Sequence, residues 1–407
     1  MGYNAFMKKE TPPSPAEHRL AVVNGHVITP AGVIRDGLVL TRGSRIEYAG
    51  PMKNFVTHGL EIIDAHGGFV SPGLVDAHTH LGVYAEGGGP MTEDGNEMVD
   101  PITPHVRAID SIDHTDKAFE EARMGGVTCA MITPGSANVI GGAACAVKTF
   151  GRLADEMVIA PNVGIKMAMG ENPKRVYGGA QKAPMTRMGI AALLRQTLVA
   201  AQNYRDKLRH SKGKKEPAAR DLKMEALLPV LDGTLPARIH AHRADDIMTA
   251  LRVADEFGLK VVIEHATEAY KIADILAKRK VPVNIGPTTT GRSKEELRNL
   301  IRDNAVRCIQ AGCMVSLVTD HPIIPVQELR EEAVKVARKL RPNLDAVLAT
   351  ITINPARTLG LAHRLGALER GKDADIVVFT AYPVEPQAEA KVTIINGAVV
   401  WRAEGRE

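Results

Sequence analysis

Gly73-Leu74-Val75-Asp76-Ala77-His78-Thr79-His80 is the stretch from which the rest of the 407-residue chain can be read. An apolar, strand-like run ends in two imidazoles two residues apart. Successive side chains on a strand point to opposite faces, so His78 and His80 project from the same side, where one cation can accept both. His-x-His also occurs on exposed strands without a metal, so the reading depends on partners elsewhere in the chain. Such partners end later apolar runs: Lys166 in VGIKMAM, His240 and His242 in ARIHAH, His265 in VVIEH and Asp320 in VSLVTD. In the Lys166 segment, strand parity puts Ile165, Met167 and Met169 on a packing face and Gly164, Lys166 and Ala168 on the other.

Eight apolar runs can be marked outward from the motif: 74–80, 127–133, 143–149, 161–169, 236–242, 260–265, 281–285 and 314–320. Helical patterns at 113–124, 186–208, 244–257, 268–278, 293–311 and 326–340 separate most of them, the alternation expected of a parallel α/β barrel. Ser293-Lys-Glu-Glu296 reads as a capping box, and Asn354-Pro355 as a cap before a first-turn proline. Between the second and third runs the glycine-rich loop Pro134–Gly142 stands where a helix is expected. Its backbone N–H groups could bind an anion, although the Gly-Lys-Ser/Thr of a Walker A loop is absent.

Residues 18–70 show short alternating runs, AVVNGHVI and GLVLTRGSRIEYAG, with Asn-Gly and Arg-Gly turns that predict antiparallel strands. Asp375–Thr380 and Val392–Arg402, with a turn at Asn396-Gly397, predict strands that pair with them. The expected organisation is a small β-sandwich domain from 18–70 plus 363–404, with a (β/α)8 barrel at 71–362 inserted between its halves.

A net charge of +4 is small for this length, and the basic cluster Arg205–Lys215 reads as a solvated helix end, so no nucleic-acid partner is expected. Cys129, Cys145, Cys308 and Cys313 lack CxxC spacing and lie in apolar elements, which predicts buried free thiols and a reducing compartment. The start, MGYNAFMKKETPPSP, lacks the apolar core of a signal peptide, and Phe6 breaks the lipidation pattern that begins at Gly2. No run reaches membrane-spanning length. A cytoplasmic location without membrane association is the expectation.

PGLVDAHTH, HAHRAD, IEHAT, VTDHP, TINPARTLGL, GALERGKDADIVVF and the terminal INGAVVW occur in this order from one end of the chain to the other. The series resembles the amidohydrolase superfamily of metal-dependent hydrolases, particularly members similar to imidazolonepropionase, isoaspartyl dipeptidase and the Xaa-Pro or Xaa-Arg dipeptidases. It covers nearly everything from about residue 20 to 402. The resemblance implies a distorted (β/α)8 barrel beside a small β-sandwich, with the metal site at the C-terminal ends of the strands. It makes His78, His80 and Asp320 ligands of the more buried metal, with Asp320 also handling protons. His242 and His265 become the ligands from the two middle strands, His242 being preferred to the deeper His240. Lys166 matches the lysine that carbon dioxide converts to a metal-bridging carbamate in binuclear members, and Glu171 is its runner-up.

The implied cofactor is a pair of divalent ions, zinc by its nitrogen and oxygen ligands, or one ion held by His78, His80, His242 and Asp320 with His265 as a hydrogen-bonding electrophile. Metal-activated hydroxide would attack the carbonyl of a cyclic amide, N-acyl compound or small dipeptide, with Asp320 and His265 as catalytic groups. A mononuclear imidazolonepropionase-like or deaminase-like hydrolase is the alternative within catalysis; a non-catalytic scaffold on the same fold is the alternative outside it. Arg107, Arg175, Tyr177 and Arg292 are candidates for gripping a small-molecule substrate, and a homo-oligomer is expected.

Overall fold

The computed structural model describes residues 18–85, 87, 89–211 and 218–404. The N-terminal leader and lipidation readings, and the end of the basic cluster at 212–215, lie outside the described residues. Five strands precede or abut the histidine motif: Arg19–Thr29 (β1), Gly32–Arg42 (β2), Arg45–Pro51 (β3), Glu61–Asp64 (β4) and Phe69–Pro72 (β5). The eight expected barrel strands follow as Leu74–Thr79 (β6), Val127–Ile132 (β7), Ile140–Lys148 (β8), Val158–Ala168 (β9), Ala237–Ala241 (β10), Val261–His265 (β11), Val283–Ile285 (β12) and Val315–Leu317 (β13). Ile376–Phe379 (β14), Ala390–Ile395 (β15) and Ala398–Arg402 (β16) complete the set.

β6 to β13 form one sheet in sequence order. Its ends meet where Asp320 N–H donates to His78 O (3.1 Å) and His80 N–H to His321 O (2.8 Å), so the backbones of site residues close the barrel. The sheet is not all parallel: β8 runs antiparallel to both β7 and β9. The loop between β7 and β8 has too few residues for the dozen or more that a parallel crossover takes, so the chain can only fold back on itself.

β16-β15-β14-β5-β1-β2-β3, with β4 also on β1, make the second sheet from both ends of the chain. Apolar side chains of β1 to β5, β14 and β15, among them Leu20, Val39, Ile46, Ile63, Val70, Ile376 and Ile394, share one buried cluster, so the sheet curls over itself. It is mixed rather than antiparallel, because β4 and β5 both lie parallel to β1. Asn24-Gly25 is not a hairpin turn either. Asn24 takes a left-handed φ of 56° inside β1, where the register with β2 shifts, which is a β-bulge. Asn396-Gly397 does turn between β15 and β16.

The helix signals differ in detail. Ser293–Glu296 makes no capping box: Glu296 lies in a 3-10 turn, Glu295–Leu297, that has no side-chain cap. Thr352, not Asn354, precedes the helix Ile353–Thr358, and Asn354 instead donates from Nδ2 to Val315 O (2.9 Å). All four cysteines are buried free thiols. Among the described residues, no helix is long and apolar enough to cross a membrane.

Two features fix the barrel on the second sheet. Gly73 alone separates β5 from β6, and a Cβ there would stand 2.1 Å from Thr128 Oγ1. At the end of β8, buried Lys148 reaches Asp375 Oδ2 (2.5 Å) and Asp373 Oδ2 (2.9 Å), beside β14. Burial opposes ionisation of Asp373, but Lys148 and Arg364 outweigh it and hold the carboxyl below its usual range. Lys148→Met strands Asp375 and leaves Asp373 with Arg45 and Arg364, and should cost about 3–5 kcal/mol near neutral pH by urea unfolding. A depressed carboxylate pKa gives stability that is lost as pH falls, so the gap between wild type and variant should narrow in acid. An unchanged midpoint would show that the triad contributes nothing.

Candidate metal centre

Every barrel strand end that the sequence marked delivers its side chain to one cavity of about 450 Å³ or to the wall beneath it. His80, His240, His242, His265 and Asp320 line the cavity. His78 and Lys166 lie under it, fully buried. His78 Nε2 is 3.4 Å and His80 Nε2 3.3 Å from Asp320 Oδ1, and His265 Nδ1 is 3.8 Å from Asp320 Oδ2. The His265 ring lies 4.7 Å from that of His78 and 4.6 Å from that of His240. Two sets of ligand atoms each gather within 4.8 Å: His78, His265 and Asp320 in one, His240, His242 and Glu296 in the other. His240 therefore belongs to the cluster together with His242, since both rings turn inward from the end of β10.

The far side of most rings is anchored. His78 Nδ1 donates to Glu264 Oε2 (2.8 Å), His80 Nδ1 to Thr133 O (2.7 Å) and His265 Nδ1 to Gly286 O (2.9 Å). His242 Nδ1 is hydrogen-bonded to Thr267 Oγ1 at 2.8 Å. Holding one ring nitrogen in this way fixes the tautomer and aims the other at a metal. The aimed nitrogen of His242, Nε2, is buried with no hydrogen-bond partner among the described residues, as is Nδ1 of His240. Buried nitrogens without partners are costly unless something binds them. The donor set of imidazoles and a carboxylate suits a divalent cation of the zinc type, so the residues present fit the implied group.

Backbone geometry explains how adjacent residues reach the same interior. His265 (φ 67°), Ala266 (φ 45°) and Asp320 (φ 55°) all adopt left-handed conformations, which a residue other than glycine takes only at a cost. The turn at His265 lets Glu264 and His265 both face inward, against strand alternation. Gly286, whose carbonyl steadies His265, has φ 153°, and a Cβ on it would stand 2.0 Å from Val318 O.

Glu264 is the main residue that the sequence reading missed. It is fully buried and takes His78 Nδ1 on one oxygen and Arg238 Nη1 on the other (3.0 Å), with Asn284 Nδ2 at 2.8 Å. Burial would raise its pKa, but His78, Arg238 and Lys166 bring it down to about 2. Its signal was an acid inside the apolar run VVIEH. Burial and the Lys166 ammonium push His78 down to about 3, and burial drives His240 and His242 well below the usual imidazole range. These rings are neutral, the form that ligates metal. Burial also pushes Lys166 down to about 8; its Nζ lies 3.1 Å from His78 Nε2. Asp320 is held below its usual range because His265, His80 and His78 outweigh the effect of burial.

Of the proposed substrate residues, only Arg175 lines the cavity. Arg107 is exposed and paired with Asp110 (2.6 Å) beside a different cavity. Arg292 donates to Leu300 O, and the Tyr177 hydroxyl bonds Asp100 O and Asn138 Oδ1, each 2.9 Å away, under the surface. Glu171 accepts from Glu296 N–H instead of facing the ligands. In the 134–142 loop the N–H groups of Gly135, Ala137 and Ile140 are already taken by Gly95 O, Asn96 Oδ1 and Pro101 O, which removes them as an anion cradle.

Residues 69–400 match the Amidohydrolase family. A crystal structure of an amidohydrolase from Thermotoga maritima MSB8 superposes with a TM-score of 0.90 at 42% identity, covering 94% of this chain and 100% of that one. Amidohydrolase tasK of Hapsidospora irregularis is 31% identical over 374 residues, 83% of this chain, which spans 37% of tasK's length. The imidazolonepropionase of Methylobacterium sp. (strain 4-46) is 26% identical over 384 residues, 88% of this chain and 90% of that protein. A Xaa-Pro dipeptidase with bound methionine shares the fold at 16% identity and a TM-score of 0.56. With candidate metal-ligating side chains gathered at the strand ends and the match running through nearly all of the barrel, this chain belongs to the amidohydrolase family, metal-dependent hydrolases of carbon–nitrogen bonds.

Proposed function

We propose that the chain hydrolyses the amide bond of a cyclic amide, an N-acyl compound or a small dipeptide, using two zinc-type divalent cations bridged by carboxylated Lys166. His78, His80 and Asp320 would hold one cation and His242 and His265 the other, with His240 and Glu296 beside them. Such cations make water a nucleophile at neutral pH and polarise the scissile carbonyl.

The observation that carries this reading is Lys166, 1% exposed, its Nζ against the imidazole of His78 and among groups that could ligate metal. An ammonium has three donors and no acceptor, so it cannot bind a cation and suffers from burial. With a pKa of about 8, roughly a tenth of it is free amine at pH 7. That amine can add to the carbon of carbon dioxide, forming an N–C bond and releasing one proton. The product is a carbamate with two acceptor oxygens, which removes the mismatch. Asp320, ionised and the only acidic side chain on the cavity wall among the described residues, takes the proton of the attacking water on a carboxylate oxygen and returns it to the leaving nitrogen.

Protein grown with carbon-13 bicarbonate should show a carbamate resonance and about two metal equivalents by plasma mass spectrometry, on the stoichiometry of a bridged pair. Lys166→Ala should lose the resonance and fall to about one equivalent or less. One equivalent and no resonance in the wild type would instead establish the mononuclear form. Asp320→Asn should lower kcat by about 10²–10⁴ on any dipeptide or N-acyl amino acid that the wild type cleaves. Full activity in that variant would remove Asp320 from the chemistry.

A further inference from the structure

Away from the ligand cluster, the charges on the cavity wall are of one sign. Asp320 is its only acidic lining residue among the described residues, and its carboxylate is engaged by His78 and His80. Lys294 and Arg175 also line the cavity. Among the described residues the half-buried Lys294 ammonium has one hydrogen-bond partner, a neutral oxygen, Asn172 Oδ1 at 3.3 Å. Neither cation has a carboxylate oxygen within 4.0 Å among the described residues. Three other buried or half-buried cations are neutralised: Lys148 by Asp373 and Asp375, Arg238 by Glu264, Arg187 by Asp246 and Glu296. Leaving Lys294 unpaired costs solvation, which burial registers by lowering its pKa.

Of the acids whose charge acts on Lys294, namely Glu296, Glu171 and Asp320, the first two are clasped to each other, and that clasp sets the geometry. Glu171 Oε2 accepts Glu296 N–H (3.0 Å) while Glu296 Oε1 accepts Glu171 N–H (2.6 Å) and Arg187 Nη2 (2.8 Å). This reciprocal clasp ties the loop after β12, which carries Lys294, to the helix Glu171–Gly179, which carries Arg175. Asn172, on the same helix, is fixed by Ser136 Oγ (2.8 Å) and stands 3.4 Å from His240 Nε2. Lys294 is thereby held one side chain away from the candidate metal centre, its positive charge left for something that enters the cavity.

We propose that Lys294, assisted by Arg175, binds a carboxylate of the substrate, so that the amide cleaved belongs to an anionic N-acyl amino acid or dipeptide and not to a neutral amide. This assignment rests on the hydrolytic reading of the cavity. An ammonium and a guanidinium facing one carboxylate form charge-assisted hydrogen bonds, about twice as strong as neutral ones, in a pocket of small-molecule size. Both groups are specificity determinants; neither takes part in bond making.

Metal-replete enzyme is titrated calorimetrically with a panel of N-acetyl amino acids, each against its C-terminal amide, and hydrolysis of the same compounds is scored separately. The best acid should bind at least about tenfold more tightly than its amide. Lys294→Met should remove that preference, chiefly through KM where the compound is cleaved, with metal content unchanged, and Lys294→Arg should restore most of it. Equal titration of acids and amides by the wild type, or a preference that survives Lys294→Met, would overturn the assignment. Acid-selective binding without hydrolysis would sink the hydrolase reading alone, whereas hydrolysis without acid preference would sink only this one.

Discussion

Barrel closure between β6 and β13 is the constraint on which the site depends. The two hydrogen bonds that join these strand ends run between His78 and Asp320 and between His80 and His321, so the seam of the barrel and the first half of the candidate metal centre are the same few residues. Residues more than 200 positions apart in the chain are placed within 3.4 Å at side-chain level because their backbones are already bonded. The single-residue link at Gly73 and the Lys148 triad hold the barrel against the sheet built from both termini, and so fix where β6 begins.

Charge is arranged in layers beneath this seam. Arg238 and Glu264 neutralise each other in the barrel interior, and Glu264 has a second oxygen left to orient His78. Above them come neutral imidazoles and the Asp320 carboxylate, which together have more lone pairs than protons to share, beside the mostly protonated Lys166. That surplus is what a cation relieves. Further out, Lys294 and Arg175 carry positive charge and form no ion pair among the described residues. On the proposed reading, one cavity would take cations at its inner end and an anion at its outer end, an arrangement that would position a carboxylate-bearing amide with its scissile bond toward the candidate ligands.

The barrel strands were legible in sequence because each is an apolar run and five of the eight end in a candidate ligand, and that pattern survives folding. The direction of β8 was not, since an apolar run reads the same in either orientation; only the short loop before it held a hint. Strand parity located Lys166 and the histidines but failed at Glu264, because a left-handed residue at His265 breaks the alternation on which parity relies. Glu296 was read as a local cap and instead bonds across 125 residues to Glu171. Arg107, Tyr177 and Arg292 show the reverse difficulty. A long side chain near a strand end can turn to a neighbour as easily as to the cavity, and only the fold decides which.

The central claim is that the imidazoles, Asp320 and Lys166 surround bound cations. Anomalous diffraction from crystals of metal-replete protein, collected on both sides of the zinc absorption edge, tests it most directly. The account predicts two peaks, one among His78, His80 and Asp320 and one among His242 and His265, with electron density joining Lys166 to both. Metal peaks elsewhere in the molecule, with none in this cavity, would contradict it.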